Sequence, residues 1–420
     1  MPIDTAPFDV TVAGPFVNAA TAGAVPVVGS GPEAIRTVQE FAAGIADGVI
    51  ERDRSGALPV HELAALDASG LLAITVPRKH GGADVPATVL AEVIRTIAAV
   101  DPAIAQAPQG HFLLVDVLTV LGSPDQRRRL FAEVLAGGRL ASSLAERGGQ
   151  HAQDLKTRLH GSGTRTRLTG RKYYATGALT ARWIGASALD DAGRLVLAFV
   201  PRHTQGVQLD QDWNVMGQRA TVSGSVAFDD VPVDASLVIP YQQAFEAPQQ
   251  FGARAQLVHA AIEVGIAGGA LRDAGTFVRT KARPFFEAAR AGWTQTAAED
   301  PHTIHKFGQL ATKVQAAEAL LAAAAATLDE VTRTPRNAAA AARGSVAVAQ
   351  AKAFGSEVAA EVASEMFSLS GASATDERYD LSRHWRNART HASHDPVSWK
   401  YHHVGNYLLN DVLPPNHGQI

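Results

Sequence analysis

"TRTRLTGRKYYATG", residues 164–177, decides how this chain is to be read. Polar and apolar side chains alternate through it, Thr and Tyr are frequent, and glycines punctuate it. That is the pattern of short paired strands rather than of a helix. The same period continues in "RLVLAFVP" (194–201) and "GSVAFDDVPV" (224–233), so residues 140–245 read as a β-barrel domain built on the short-strand logic of small barrels. On both sides the period changes to three and four. "AIRTVQEFAAGIADGVIERD" (34–53) and "ATVLAEVIRTIAAVDPAIAQ" (87–106) place an N-terminal helical domain over 31–139. "HAAIEVGIAGGALRDAGTFVRTKA" (259–282), "IHKFGQLATKVQAAEALLAAAAATLDEVTRT" (304–334) and "AAAARGSVAVAQAKAFGSEVAAEVASEMFSLSG" (339–371) are long enough to cross a C-terminal bundle over 246–420. The class is α+β, in the order helices, barrel, bundle.

The chain has 420 residues, 38 basic and 41 acidic side chains, and no cysteine. A formal charge of -3 provides no basic field, so neither nucleic acid nor a membrane is expected as a partner. The missing cysteine excludes thiolate catalysis and thiolate metal sites and fits a reducing, cytoplasmic setting. Residues 1–30 lack a basic start and an unbroken apolar run and are interrupted by Pro and Gly, which reads as a flexible or draped arm. "GIAGGA" lies inside a helical pattern without a βαβ context, so no nicotinamide site is expected.

"RTHASHDPVSWKYHH" (389–403) gathers four histidines. His391 and His394 are three apart in what reads as the last turn of a helix stopped by Pro396, with Asn387 one turn earlier. The helix C-terminus favours a protonated imidazole there, which suits a group that hands over a proton. A His-x-x-His pair can also hold zinc, but no carboxylate ligand accompanies it and no metal is assigned. His402 and His403 are adjacent, cannot share a helical face, and read as structural. His111, in "QGHFLL", stands in an apolar context where a satisfied core histidine is the ordinary reading.

The order of regions, together with several motifs, resembles the acyl-CoA dehydrogenase fold, with its N-terminal helical domain, middle β-barrel and C-terminal four-helix bundle. "LASSLAERGGQ" (140–150) sits where that family has a flavin loop, "LTGRKYYATGAL" (168–179) resembles its Asn-Gly-x-Lys strand pair, and "WNVMGQRATVSGS" (213–225) its Met-Gly-x-Arg segment. "HWRNARTHASHDPVSWKYHHVGNYLLNDVLPP" (384–415) resembles the flavin monooxygenase branch, the dibenzothiophene monooxygenases and related sulfur-acquisition oxidoreductases, and resembles the second group more.

The resemblance implies that His391 and His394 lie over the flavin edge and stabilise a C4a-hydroperoxide, and that His111 is a substrate-pocket histidine. Thr176 would approach the flavin edge, and Ser142 would stand where the monooxygenases have a pocket asparagine. Glu146, Trp213, Arg219, Ser223 and Asn387 would contact the cofactor. Arg279 and Arg283, four apart on one helical face in "FVRTKARPF", and Ser373 in "GASAT" would meet its phosphate, although a solvated face is the alternative for the arginines. The dibenzothiophene enzymes have an arginine at the Ser373 position. The implied activity is a two-component monooxygenase acting on an organosulfur or related small apolar molecule. It would use O2 and reduced FMN from a separate NAD(P)H:flavin reductase, and assemble as a homotetramer, a dimer of dimers. The alternative is an FAD-dependent acyl-CoA dehydrogenase in which Asp395 occupies the slot of the glutamate base. A third reading is a non-catalytic flavin-binding assembly protein.

Overall fold

A computed structural model describes residues 25–151 and 154–420. Seven helices come first: α1 (Gly31–Ile45), α2 (Val49–Ser55), α3 (Val60–Ala68), α4 (Ala87–Ala98), α5 (Pro102–Gln106), α6 (Gln109–Leu121) and α7 (Pro124–Leu135). The start of α1 follows from local chemistry: Ser30 accepts from the Glu33 amide, Pro32 lies in the first turn, and Ala34, Val38, Phe41, Ala42 and Ile45 form the buried stripe. Most of the arm expected over 1–30 lies outside the described residues. Its last part is not loose, because Val28 is buried in the helical core.

Eight strands follow: β1 (Leu140–Ser143), β2 (Arg158–His160), β3 (Arg167–Lys172), β4 (Trp183–Leu189), β5 (Leu195–Pro201), β6 (Val207–Leu209), β7 (Val226–Pro232) and β8 (Val238–Ile239). They form one mixed sheet in the order β6-β7-β3-β2-β4-β5-β8, with β1 running parallel to β4 from Leu140↔Trp183. β3, the strand within the opening stretch, pairs antiparallel with β7 and slips register between Leu168 and Gly170. Gly170 has φ +151, and a Cβ there would come within 2.4 Å of the Thr157 hydroxyl, so the bulge needs glycine.

The chain then returns to helices: α8 (Phe251–Thr280), α9 (Phe286–Arg290), α10 (Pro301–Thr332), α11 (Ala338–Ser370), α12 (Ser382–Ala392) and α13 (Val397–Asn410). Asp300 and Asn337 cap α10 and α11 with their side chains. One apolar core runs from α1 and α4 into α8, α10 and α11, so the two helical regions share their packing. The "GIAGGA" glycines serve that packing: a Cβ on Gly265 would meet Ala98 Cβ at 2.6 Å, and one on Gly269 the Ala99 carbonyl at 2.5 Å. They let α8 and α4 approach closely. The stretch Pro102–Leu121 is long and apolar enough to pass a length-and-hydropathy test for a membrane span, but 72% of it is buried inside the fold, as in a core helix.

Candidate active site

A cavity of about 1140 Å³ opens where the sheet, α6, α8, the end of α12 and the C-terminal segment meet. Its sheet side carries Thr176, Ser223, Thr221, Trp213 and Gln218, and its helical side Gln106, His259, His391 and His394. Ser142, Leu113, Leu195, Tyr241 and Phe245 line it as well.

The sheet side is an oriented hydroxyl chain. Thr221 Oγ1 donates to the Gln218 carbonyl at 2.8 Å, Ser223 Oγ lies 2.9 Å from Thr221 Oγ1, and Thr176 Oγ1 lies 2.6 Å from Ser223 Oγ. Each hydroxyl has one proton. With Thr221 spending its own on a carbonyl, Ser223 donates to Thr221 and Thr176 to Ser223, which leaves Thr176 Oγ1 an acceptor toward the cavity. The backbone beneath is held unusually: Gln218 and the β-branched Val222 have φ of 54° and 44°, left-handed values that L residues rarely adopt. Trp213 Nε1 donates to the same Gln218 carbonyl at 2.9 Å. The Gln218 side-chain amide is buried, and among the described residues neither of its atoms is hydrogen-bonded.

The helical side is a histidine cluster. α12 ends at Ala392, so only His391 is in its last turn, and His394 lies in the turn leading to Pro396. The two still converge on the cavity because α8 brings a third imidazole between them. His259 Nδ1 is 3.1 Å from His391 Nε2, and the rings of His259 and His394 stack with centroids 4.1 Å apart. His391 Nδ1 donates to Glu263 Oε1 at 2.7 Å, and its Nε2 lies 3.2 Å from Gln106 Oε1. Burial, reinforced by His394 and Lys352, holds His259 well below the ordinary histidine range, so its ring is neutral. Among the described residues no group of three or more His, Cys, Asp or Glu is arranged to hold a metal ion.

Several expected site residues lie elsewhere. His111 is fully buried between α6 and the sheet: its Nε2 donates to the Leu72 carbonyl at 2.8 Å and its Nδ1 accepts from the Leu140 amide at 3.1 Å. Burial lowers its pKa to about 4, and it does not line the cavity. Glu146 pairs with the buried Lys172 at 2.7 Å and accepts from the Thr157 amide and hydroxyl. Burial opposes its ionisation, but those bonds prevail and hold it below the usual glutamate value, as a brace for the loop. Asn387 is buried facing away from the cavity: Oδ1 accepts from the Gln218 backbone N–H and Nδ2 donates to Asp53 Oδ1 at 3.3 Å. It ties α12 to the Trp213–Gln218 segment. Arg219 packs on Gly56 at the end of α2. Arg279 and Arg283 do not share a helical face, because α8 stops at Thr280, and both are exposed, as is Ser373. His402 and His403 lie on α13 against Trp399, outside the cavity.

Asp395 is also placed differently from a catalytic base. It is buried, ion-paired with Lys400 Nζ at 2.5 Å and Lys352 Nζ at 3.2 Å, and accepts from His394 Nδ1 at 2.9 Å. Burial opposes its charge, but His394 and the two lysines hold its carboxyl far below the ordinary range. A carboxylate stabilised this strongly is a poor proton acceptor, and among the described residues no Asp or Glu lines the cavity.

The site residues that the histidine motif does not contain, His259 and Glu263, had a sequence signal. They are four apart in "HAAIEVGIAGG", two polar side chains on one face of an otherwise apolar helix. Lys352 is similarly isolated within an apolar stretch of α11.

Known proteins agree with this architecture and narrow it. Residues 33–138 match the family profile "Acyl-CoA dehydrogenase, N-terminal domain" and residues 257–399 match "Acyl-CoA dehydrogenase, C-terminal domain". The class is thus that of the acyl-CoA dehydrogenase fold. The dibenzothiophene monooxygenase of Mycolicibacterium goodii is 35% identical over 383 residues, covering 87% of this chain and 91% of the relative. The probable FMNH2-dependent monooxygenase SfnC of Pseudomonas putida is 31% identical over 393 residues, covering 91% and 96% respectively. The crystal structure of FMN-bound TdsC from Paenibacillus sp. A11-2 matches with a TM-score of 0.87 at 28% identity, covering 92% of this chain and 100% of that one. The chain belongs to the flavin-dependent monooxygenases of the acyl-CoA dehydrogenase fold, in the branch of the dibenzothiophene monooxygenases.

Proposed function

We propose that the protein oxygenates a small organosulfur substrate, a sulfide, sulfoxide or thiophene-like ring, using O2 and reduced FMN delivered by a separate NAD(P)H:flavin reductase. The observation that carries this reading is the make-up of the cavity wall: His259, His391 and His394, with His417 from the C-terminal segment, and a hydroxyl chain line it, and among the described residues no carboxylate does. Abstraction of an α-proton from an acyl thioester needs a carboxylate base in the wall, and Asp395 is committed to two lysines.

The residues present fit a flavin. Trp213 offers an aromatic wall, the Gln218 side-chain amide offers a donor and an acceptor without partners among the described residues, and Thr176 Oγ1 is left an acceptor that suits the N–H of a reduced ring. Arg147 and Arg389 line the cavity as cations for an anionic group. When bound, reduced FMN supplies the chemistry through a C4a-hydroperoxyflavin, an electrophilic oxygen donor that a soft sulfur attacks without a protein nucleophile. The chain's own residues bind, orient and manage protons: Leu113, Leu195, Tyr241 and Phe245 surround an apolar substrate, and the histidines supply N–H groups.

The exposed Arg279, Arg283 and Ser373 reach a flavin phosphate only from a neighbouring copy, in keeping with a homotetramer. Work in the cytosol is in keeping with the absence of cysteine.

The test is anaerobic mixing of the protein and photoreduced FMN with oxygenated buffer, followed in the near ultraviolet. An adduct that outlives the autoxidation of free reduced FMN, with oxygenated product from a sulfide or thiophene, supports the reading. Direct reoxidation without an adduct, together with reduction of bound FAD by an acyl-CoA, refutes it.

A further inference from the structure

From the contacts behind the histidine cluster we infer that Glu263, His391 and His259 form a buried relay in which His259, not His391, presents the N–H to the reacting oxygen, and His391 re-supplies that proton. The inference rests on the oxygenase reading of the cavity.

Glu263 is fully buried on α8, with Oε1 on His391 Nδ1 and Oε2 without a hydrogen-bond partner among the described residues. A buried carboxylate with an unused oxygen is costly and persists where its charge is needed. It fixes a proton on His391 Nδ1. His391 Nε2 faces the Gln106 side-chain oxygen, which can only accept, so with Nδ1 on the Glu263 carboxylate both ring nitrogens of His391 are donors, and His259 Nδ1 beside Nε2 accepts. The structure therefore assigns His391 as an imidazolium paired with the Glu263 carboxylate.

His259, neutral and accepting at Nδ1, then carries its own proton on Nε2. No hydrogen bond engages that nitrogen among the described residues, and His259 lines the cavity. The groups packed around the relay are Gln106 from α5, Glu263 and His259 from α8, Lys352 from α11, and His394 and Asp395 from the turn after α12.

The transfer balances. His259 gives its Nε2 proton to an anionic oxygen in the cavity and takes the His391 Nε2 proton at Nδ1, ending as the other neutral tautomer. His391 is left neutral with Nδ1–H still on Glu263, which stays ionised, and it recovers one proton from water after product leaves. Glu263 is a positioning residue and His259 the proton donor.

The experiment uses the full chain, with ¹⁵N-labelled histidine and no flavin, for wild type, Glu263→Gln, His259→Phe and His259→Gln, followed by product formed per reduced FMN across pH. Wild type should show one histidine with both ring nitrogens protonated, a signature lost in Glu263→Gln. His259→Phe should lower product per flavin on the order of 10²-fold, with the difference released as peroxide, and His259→Gln, which keeps an N–H, should recover part of it.

Unchanged histidine protonation in Glu263→Gln would overturn the relay, as would wild-type yield in His259→Phe. Should Glu263→Gln fail to fold, the two His259 variants decide. A wild type that oxygenates no sulfide would sink the oxygenase reading, while the flavin-free spectra still decide the relay.

Discussion

Replacing Asp395 by Asn removes one negative charge from a cluster holding two buried lysines, Lys352 at 1% and Lys400 at 2% exposure. The shape is preserved, so the loss is electrostatic. Removing one partner of a buried ion pair leaves an uncompensated charge and costs roughly 3–5 kcal/mol. For a chain of 420 residues the unfolding entropy is about 0.9 kcal/mol per kelvin, so the melting midpoint should fall by about 3–6 °C if the chain melts as one unit.

The pH dependence follows from the direction of the shift. The Asp395 carboxyl is held below its ordinary value, so its stabilisation is complete above the unfolded aspartate range and is lost only as pH falls through the folded value. The gap between wild type and Asp395→Asn should therefore be constant around neutrality and close only below about pH 4. Calorimetric scans at several pH values measure it, and Asp395→Asn combined with Lys352→Met should recover part of the loss by removing one unpaired cation. An Asp395→Asn protein that melts with wild type yet loses all turnover would refute the reasoning and return Asp395 to the role of a base.

Three other outcomes are expected. His111→Leu should leave turnover per folded molecule unchanged while lowering stability by roughly 1–3 kcal/mol for each of the two backbone groups it strands, read from urea titrations. Because folding lowers the His111 pKa to about 4, wild type should lose about 3 kcal/mol of stability as pH falls from the unfolded histidine range toward 4, a slope His111→Leu lacks. Thr176→Val and Ser223→Ala should each weaken FMN binding about tenfold, checked by fluorescence titration, since each breaks the chain that orients the Thr176 oxygen. His394→Ala should raise peroxide release at the expense of product, whereas His402→Ala, at an exposed position on α13, should match wild type in the same coupling assay.

The fold was legible because its signals are periodic. The stripe of α1, the alternation in β3 and the length of α8, α10 and α11 each repeat over many residues, so no single residue decides them. Where a reading hung on one boundary it slipped. The Arg279 and Arg283 pairing assumed that α8 continues, but its last helical residue is Thr280, and Lys281 has left helical geometry at φ -134°. His394 was placed in a helix that ends two residues earlier.

The site was legible in part, for a different reason. Sequence spacing reports which residues share one element, and it brought His391 and His394 together because the chain does so locally. It is silent on which element packs opposite. His259 and Glu263 are more than 120 positions from His391, and they meet it only because α12 lies across α8. The same limit explains Asn387 and Glu146, whose polar side chains resemble ligand contacts until their partners appear. Asn387 meets a backbone amide and Asp53, and Glu146 meets Lys172, each far away in sequence. Buried polar groups must be satisfied by something. The fold decides whether that partner is the protein itself, as for Glu146 and His111, or is left to a bound molecule, as for the Gln218 side-chain amide.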